Sequence, residues 1–246
     1  MNRLLVIALL MLSSGWAVHA AETSPKDLIR TKIKQVTPKA DITSIKETPI
    51  NGLYEVLLDG VDILYVSADG NHFLNGHLFA NHKKGFVDLT EKNLSMGRGN
   101  KLKTIPEKGM IVYSPEGKTK GVVYAFTDVD CGYCKKFHRE VPALNKLGVE
   151  VRYLAWPRSG LGENSVTYKK MQKVWCSKDR QAALTETKLQ NKVPTDSADC
   201  ETAIPKHFKL GFQLGVKGTP ALFSEDGRQV GGYRKADELA RDLGVM

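Results

Sequence analysis

Hydrophobic and polar positions follow two rhythms along this chain, and the changes of rhythm mark out its parts. Behind an apolar run from Leu4 to Leu12, the Ser24-Pro25 pair signals a helix start, and Leu28, Ile29, Ile33 and Val36 recur at helical spacing up to Pro38. From Ile42 the period shortens to that of strands. Runs over 53–58, 61–67 and 72–79 are separated by Asp59-Gly60 and Asp69-Gly70, both strong hairpin signals. A short helix followed by a β-meander is predicted. Asp88-Leu-Thr-Glu91 has the form of a capping box and starts another helix, but Gly97 and Gly99 stand in its path and predict an early stop. The basic, weakly apolar stretch through Pro106 and Gly109 reads as a linker.

A second unit follows. Met110 to Tyr113 and Gly121 to Thr127 read as strands, and the residues after Cys131 as a helix that Pro142 should bend after its second turn. Val149 to Leu154 reads as another strand, parallel to the previous one if the helix is a crossover. A polar, helix-rich insertion runs from Gly160 to about Pro205, with Tyr168, Met171, Val174 and Trp175 at helical spacing. A further helix ends near Leu214, and Gly218-Thr219-Pro220 then leads into Ala221-Leu222-Phe223. A proline opening a strand makes Thr219-Pro220 a candidate cis peptide, with an ordinary trans turn as the alternative. Asp226-Gly227 turns a hairpin to Gln229 to Gly231, and Ala236, Leu239, Ala240 and Leu243 form a closing amphipathic helix.

The chemistry concentrates where the strand ending at Thr127 meets the helix. There Cys131-Gly132-Tyr133-Cys134 places two cysteines three apart. Cys131 falls at the helix N-terminus, where unpaired N–H groups and the macrodipole favour a thiolate, so it is the expected nucleophile. Cys134 continues the apolar face of Phe137, Val141 and Leu144 and is the expected resolving thiol. Lys135 and Lys136 add positive charge, opposed by Asp128 and Asp130. Zinc would need a second closely spaced ligand pair, and Cys176 and Cys200 do not supply one. A covalent haem would need histidine at 135, where lysine stands. A structural Cys131 to Cys134 bridge is the remaining alternative, though so small a ring stabilises little. Cys176 and Cys200 read as a structural disulfide, with a second redox pair as the other reading.

Charge and composition narrow the setting. The 246 residues carry 36 Lys plus Arg, 27 Asp plus Glu and a net charge of +9. The basic residues are dispersed, without the arginine clusters or interleaved aromatics of a nucleic-acid surface. Arg3, the short apolar run and the small residues at Val18 and Ala20 form an expected signal peptide over 1–20. No later run approaches the roughly 20 apolar residues of a membrane span. Four cysteines in an exported chain belong in an oxidising compartment. No cofactor or metal is expected.

Taken together, CGYC at 131–134, the Val151-Arg-Tyr-Leu154-Ala-Trp-Pro157-Arg stretch, Trp175-Cys176, Cys200 and Leu214-Gly-Val-Lys-Gly218-Thr-Pro220 resemble the DsbC family of periplasmic protein disulfide isomerases. The resemblance implies an α+β, cystatin-like dimerisation domain over 21–80, a linker over 81–108, and an α/β thioredoxin-like domain over 109–246 with an insertion at about 160–206. It implies catalytic Cys131 and Cys134, supported by Gly132, Tyr133, Thr219 and a cis Pro220, and it carries over the Cys176–Cys200 disulfide. It further implies a homodimer with chaperone-like binding of misoxidised exported proteins, kept reduced by a membrane thiol reductant of the DsbD type. A dedicated disulfide or sulfenic acid reductase, DsbG-like, is the alternative. The family's linker is a helix, a pattern from which Gly97 and Gly99 depart.

Overall fold

The side chain of Ser24 accepts a hydrogen bond from the Asp27 N–H and starts α1 (Pro25–Val36), with proline in its first turn. The computed structural model describes residues 23–83, 85–195 and 200–246. The signal peptide expected over 1–20 lies outside the described residues. α1 buries Ile29 and Ile33 with Tyr54, Val56 and Val66 on one face of an antiparallel sheet. That sheet is β1 (Ile42–Glu47), β2 (Leu53–Leu58), β3 (Asp62–Ser67) and β4 (Phe73–Leu74), in spatial order. Asp59 and Gly60 both take left-handed backbone angles, φ 51° and 74°, in the β2–β3 turn. A two-residue turn of that hand matches the twist of its strands, which explains the Asp-Gly pair.

The strand expected over 72–79 is split in two. β4 ends at Leu74, and Phe79–His82 forms β5, which pairs with β6 (Gly85–Asp88) in a separate ribbon. Asn75-Gly76 lies between them, a turn pair that interrupts the ladder.

α2 (Leu89–Lys103) overturns the expected early stop. The Asp88 carboxylate accepts from the Glu91 N–H at 2.9 Å, and the helix then runs 15 residues, straight through Gly97 and Gly99. Each glycine costs a helix about 1 kcal/mol relative to alanine. Both sit where no side chain fits. A Cβ on Gly97 would overlap the carbonyl oxygen of Gly60, and one on Gly99 would stand 2.7 Å from that of Asp226. Close packing against two hairpin turns therefore outweighs propensity. Leu94 closes the second face of the first sheet over Ile63 and Tyr65, and Leu102 joins Met110 and Val122 in the next core.

A 3-10 turn (Glu107–Gly109) leads into a five-stranded sheet. Its strands are β7 (Ile111–Tyr113), β8 (Gly121–Thr127), β9 (Val149–Ala155), β10 (Ala221–Ser224) and β11 (Gln229–Gly231), in the order β11-β10-β8-β9-β7. β8 and β9 are parallel, joined by α3 (Gly132–Lys146), and the other pairs are antiparallel. Central and covered on both faces, β8 needs the unbroken apolar run seen in its sequence. On one face lie Phe137, Val141 and Leu144 of α3 and Leu239 and Ala240 of α7 (Ala236–Asp242). On the other, Leu210 of α6 (Ile204–Gln213) packs with Trp156, Tyr124 and Phe126. α3 continues through Pro142 to Lys146. The insertion supplies α4 (Val166–Cys176) and α5 (Arg180–Gln190), whose Met171, Trp175 and Leu184 join the α3 core.

Candidate active site

β8 delivers the chain to the edge of the sheet at Thr127, and a tight turn hands it to α3. The Asp128 carboxylate accepts from the Asp130 N–H at 2.7 Å, while its backbone carbonyl accepts from the Cys131 N–H at 3.3 Å. Cys131 thereby becomes the N-cap of α3, and Cys134 lies one turn inside it. Both are free thiols, 3% and 0% exposed. From the opposite side comes the loop before β10, where the Thr219-Pro220 peptide is cis. The Cys131 thiol donates to the Thr219 carbonyl at 3.2 Å. Gly132 faces open space, and Tyr133 is largely exposed, with the Lys136 ammonium 5.1 Å from its ring centre. The approach to Cys131 is thus framed by Gly132 and the exposed Tyr133 ring. A cleft lined by Asp62, His77 and Arg98 on one wall and Lys217, Gly218 and Thr219 on the other opens beside it.

The two thiols are unequal. Cys131 is lowered to about 5, chiefly because the Cys134 thiol donates to its sulfur. Burial opposes this, and the Thr219 side chain, the Cys134 N–H and the Arg158 guanidinium add to it. The Thr219 hydroxyl is buried without a partner, so it is free to donate when the sulfur is a thiolate. Cys134 moves the other way, pushed far up by burial and by the hydrogen bond it gives Cys131. One sulfur is therefore charged at neutral pH and its neighbour protonated.

The charges that act here differ from those expected. Lys135 donates to Asn191 Oδ1 at 2.6 Å, and Lys136 covers Tyr133. The cation that lowers Cys131 is Arg158, which follows β9 and pairs with Asp128. Asp130 is occupied too, by Lys170 at 2.9 Å and Thr167 at 2.6 Å. Arg158 was legible only indirectly: it sits just beyond the end of a strand parallel to β8, so both chain ends meet at one sheet edge. Below the sulfurs lies a layer that the motif does not reveal. Lys188, 1% exposed, donates to Thr127 and to the Asp128 carbonyl, and His138 is fixed between Tyr153 and Thr185, each at 3.0 Å. Lys188 betrays itself in sequence only as a lysine on the stripe of Ala183, Leu184 and Thr187. Cys176 and Cys200 are joined in a disulfide, at the end of α4 and away from the other pair.

Comparison with known proteins agrees with this geometry. Residues 106–244 match the family model for a thioredoxin-like domain, and residues 17–91 that for the disulfide bond isomerase protein N-terminal domain. The thiol:disulfide interchange protein DsbC of Dickeya dadantii is 34% identical over 240 residues, covering 97% of this chain and 93% of the relative. Its Escherichia coli counterpart is 38% identical, covering 86% of each chain, and that of Haemophilus influenzae 39%, covering 81% and 82%. The two unequal thiols at a strand-to-helix junction are the candidate site of exchange, and the chain is an oxidoreductase belonging to the DsbC family of thiol:disulfide interchange proteins.

Proposed function

We propose that this protein is a periplasmic disulfide isomerase in which Cys131 is the nucleophile and Cys134 the resolving thiol. The supporting observation is the division of charge between the sulfurs, Cys131 being lowered to about 5 while Cys134 is pushed up. The Cys131 thiolate attacks a wrong client disulfide and forms a mixed disulfide; a client thiolate then attacks and leaves with a new pairing, returning Cys131 without net oxidation. Where the client does not resolve, Cys134 attacks Cys131, and the client departs reduced. The oxidised pair is then reopened by a membrane thiol reductant of the DsbD type. Gly132, Tyr133, Thr219 and cis Pro220 frame the nucleophile, and the Cys176–Cys200 disulfide holds the insertion.

The N-terminal unit, 21–80, serves as a dimerisation domain on a linker over 81–108. Its sheet ends in the two-residue edge strand β4, with Phe73 and Leu74 exposed, and the ribbon beside it exposes Phe79, Phe86 and Val87. An apolar edge of this kind calls for a cover, and a second copy supplies one. Two arms facing a shared gap then hold a partly folded client with chaperone-like contacts, at high effective concentration of both sites. No membrane-crossing helix occurs among the described residues.

The test is rearrangement of a scrambled, fully oxidised ribonuclease in glutathione buffer. The native protein is expected to restore ribonuclease activity, Cys131→Ala to lose this wholly, and Cys134→Ser to accumulate client mixed disulfides. Reduction of the scrambled protein without recovery of its activity would instead identify a dedicated reductase.

A further inference from the structure

Lys188 is the most buried cation among the described residues, at 1% exposure, yet it faces no carboxylate oxygen. Its amine lies 2.8 Å from Thr127 Oγ1 and 3.1 Å from the Asp128 carbonyl oxygen, with the Tyr153 ring centre 5.9 Å away. A neutral amine that gives one N–H to the Asp128 carbonyl turns its lone pair to the Thr127 hydroxyl, which then donates to it, and burial pushes Lys188 down towards that form. Thr127 also hydrogen-bonds the Cys134 side chain, so its hydroxyl stands between the resolving sulfur and the lysine. The charged and titratable groups around the amine are Cys134, Asp128, Cys131 and Lys135, with neutral His138 and Tyr153 beside it. A methionine would fill this volume without the cost of burying an amine. A lysine in this place points to proton chemistry.

We propose that Lys188 is a positioning residue for the resolving step, its amine taking up, through the Thr127 hydroxyl, the proton that Cys134 loses as it attacks the Cys131 mixed disulfide. This rests on the roles given to the two cysteines above. The need is physical: Cys134 is 0% exposed and strongly favours the thiol, so neither bulk water nor hydroxide removes its proton readily. The Cys134 proton passes to Thr127 Oγ1 as the hydroxyl proton of Thr127 passes to Lys188 Nζ, which becomes an ammonium. The Cys134 thiolate forms the bond to Cys131 Sγ, and the bond from Cys131 to the client sulfur breaks. That sulfur leaves as a thiolate and is protonated from solvent. Two electrons have moved from the cysteine pair to the client disulfide. When a dithiol reductant reopens the pair, Lys188 returns the proton to Cys134.

Stopped-flow mixing of the full-length reduced protein with Ellman's reagent tests this, because Cys131 releases a first equivalent of coloured thiol and closure by Cys134 releases a second. The second phase of the native protein is expected to climb by clearly less than tenfold per pH unit between pH about 6 and about 8, with the amine supplying the base. In Lys188→Met it should be slower by about tenfold or more at neutral pH and climb about tenfold per pH unit, as hydroxide takes over. Thr127→Val, which cuts the bridge and leaves the lysine, should reproduce that profile, and Lys188→Arg should not restore the native one. A native rate and profile in either Lys188→Met or Thr127→Val overturns the proposal. Should both variants fail to fold by near-ultraviolet circular dichroism, a native second phase that itself climbs tenfold per pH unit overturns it. A second equivalent still released by Cys134→Ser refutes the cysteine roles instead, independently of Lys188.

Discussion

Arg158 reaches Asp128 twice: its backbone N–H and its Nε lie 2.9 Å and 3.1 Å from the same carboxylate oxygen. The pair holds a cation beside Cys131 and neutralises a carboxylate that would otherwise face the thiolate. Arg158→Met should therefore raise the Cys131 pKa by about one unit, from about 5 towards about 6, since a positive neighbour is lost and a negative one uncovered. Thiolate absorbance in the ultraviolet, titrated against pH, measures this, and Arg158→Lys should recover part of the shift. An unchanged midpoint would show that the helix terminus and the two hydrogen-bonding neighbours set the thiolate alone.

At Gly97 and Gly99 two principles give opposite signs. Helix propensity alone predicts that alanine stabilises by about 1 kcal/mol at each position. The contacts with Gly60 and Asp226 predict the reverse, a loss of about 1–3 kcal/mol from overpacking backbone against backbone. Urea unfolding of Gly97→Ala and Gly99→Ala should show lower midpoints than the native protein. A rise in either midpoint would mean that α2 stands free of that turn in solution.

Burial holds two histidines neutral, His138 at about 3 and His207 at about 4. Their pKa values lie below the unfolded value near 6.5, so the unfolded chain binds more protons as pH falls through that window. Stability contributed by keeping them neutral is complete above about pH 6.5 and drains away towards pH 4, at roughly 2.7 kcal/mol per pH unit for the pair. The measurement is urea unfolding at several pH values with Cys131 and Cys134 bridged, so that neither thiol titrates. His138→Gln should about halve the slope.

The Cys176–Cys200 disulfide spans 24 positions. In the chain-entropy model a loop of that length is worth about 3.5 kcal/mol, by restricting the unfolded chain. Replacing both cysteines by serine should lower unfolding stability by about that amount. A loss below about 1 kcal/mol would indicate that the unfolded insertion is already compact.

Most of the secondary structure could be read directly, because it follows from local rules. Ser24 and Asp88 cap their helices through their own side chains, and Asp59-Gly60 turns a hairpin through its own backbone angles. One departure from the local signals arises where distant backbone intervenes. Gly97 and Gly99 carry the local signal of a helix stop, and only the turns at Gly60 and Asp226, far off in the chain, convert them into packing contacts. The run over 72–79 is broken by Asn75-Gly76, a local turn pair as strong as the Asp-Gly turns before it.

The sequence by itself determined where the candidate chemistry of this protein lies: a Cys-Gly-Tyr-Cys pair at the start of a helix, preceded by a buried strand, predicts a thiolate and a shielded partner, because helix termini and periodicity are local properties. Only the tertiary structure decided which charges reach those sulfurs. The adjacent Lys135 and Lys136 turn to Asn191 and Tyr133, while Arg158 arrives from the end of a parallel strand. Electrostatic effects in a protein interior depend on distance and burial, and the spacing of residues along the chain fixes neither.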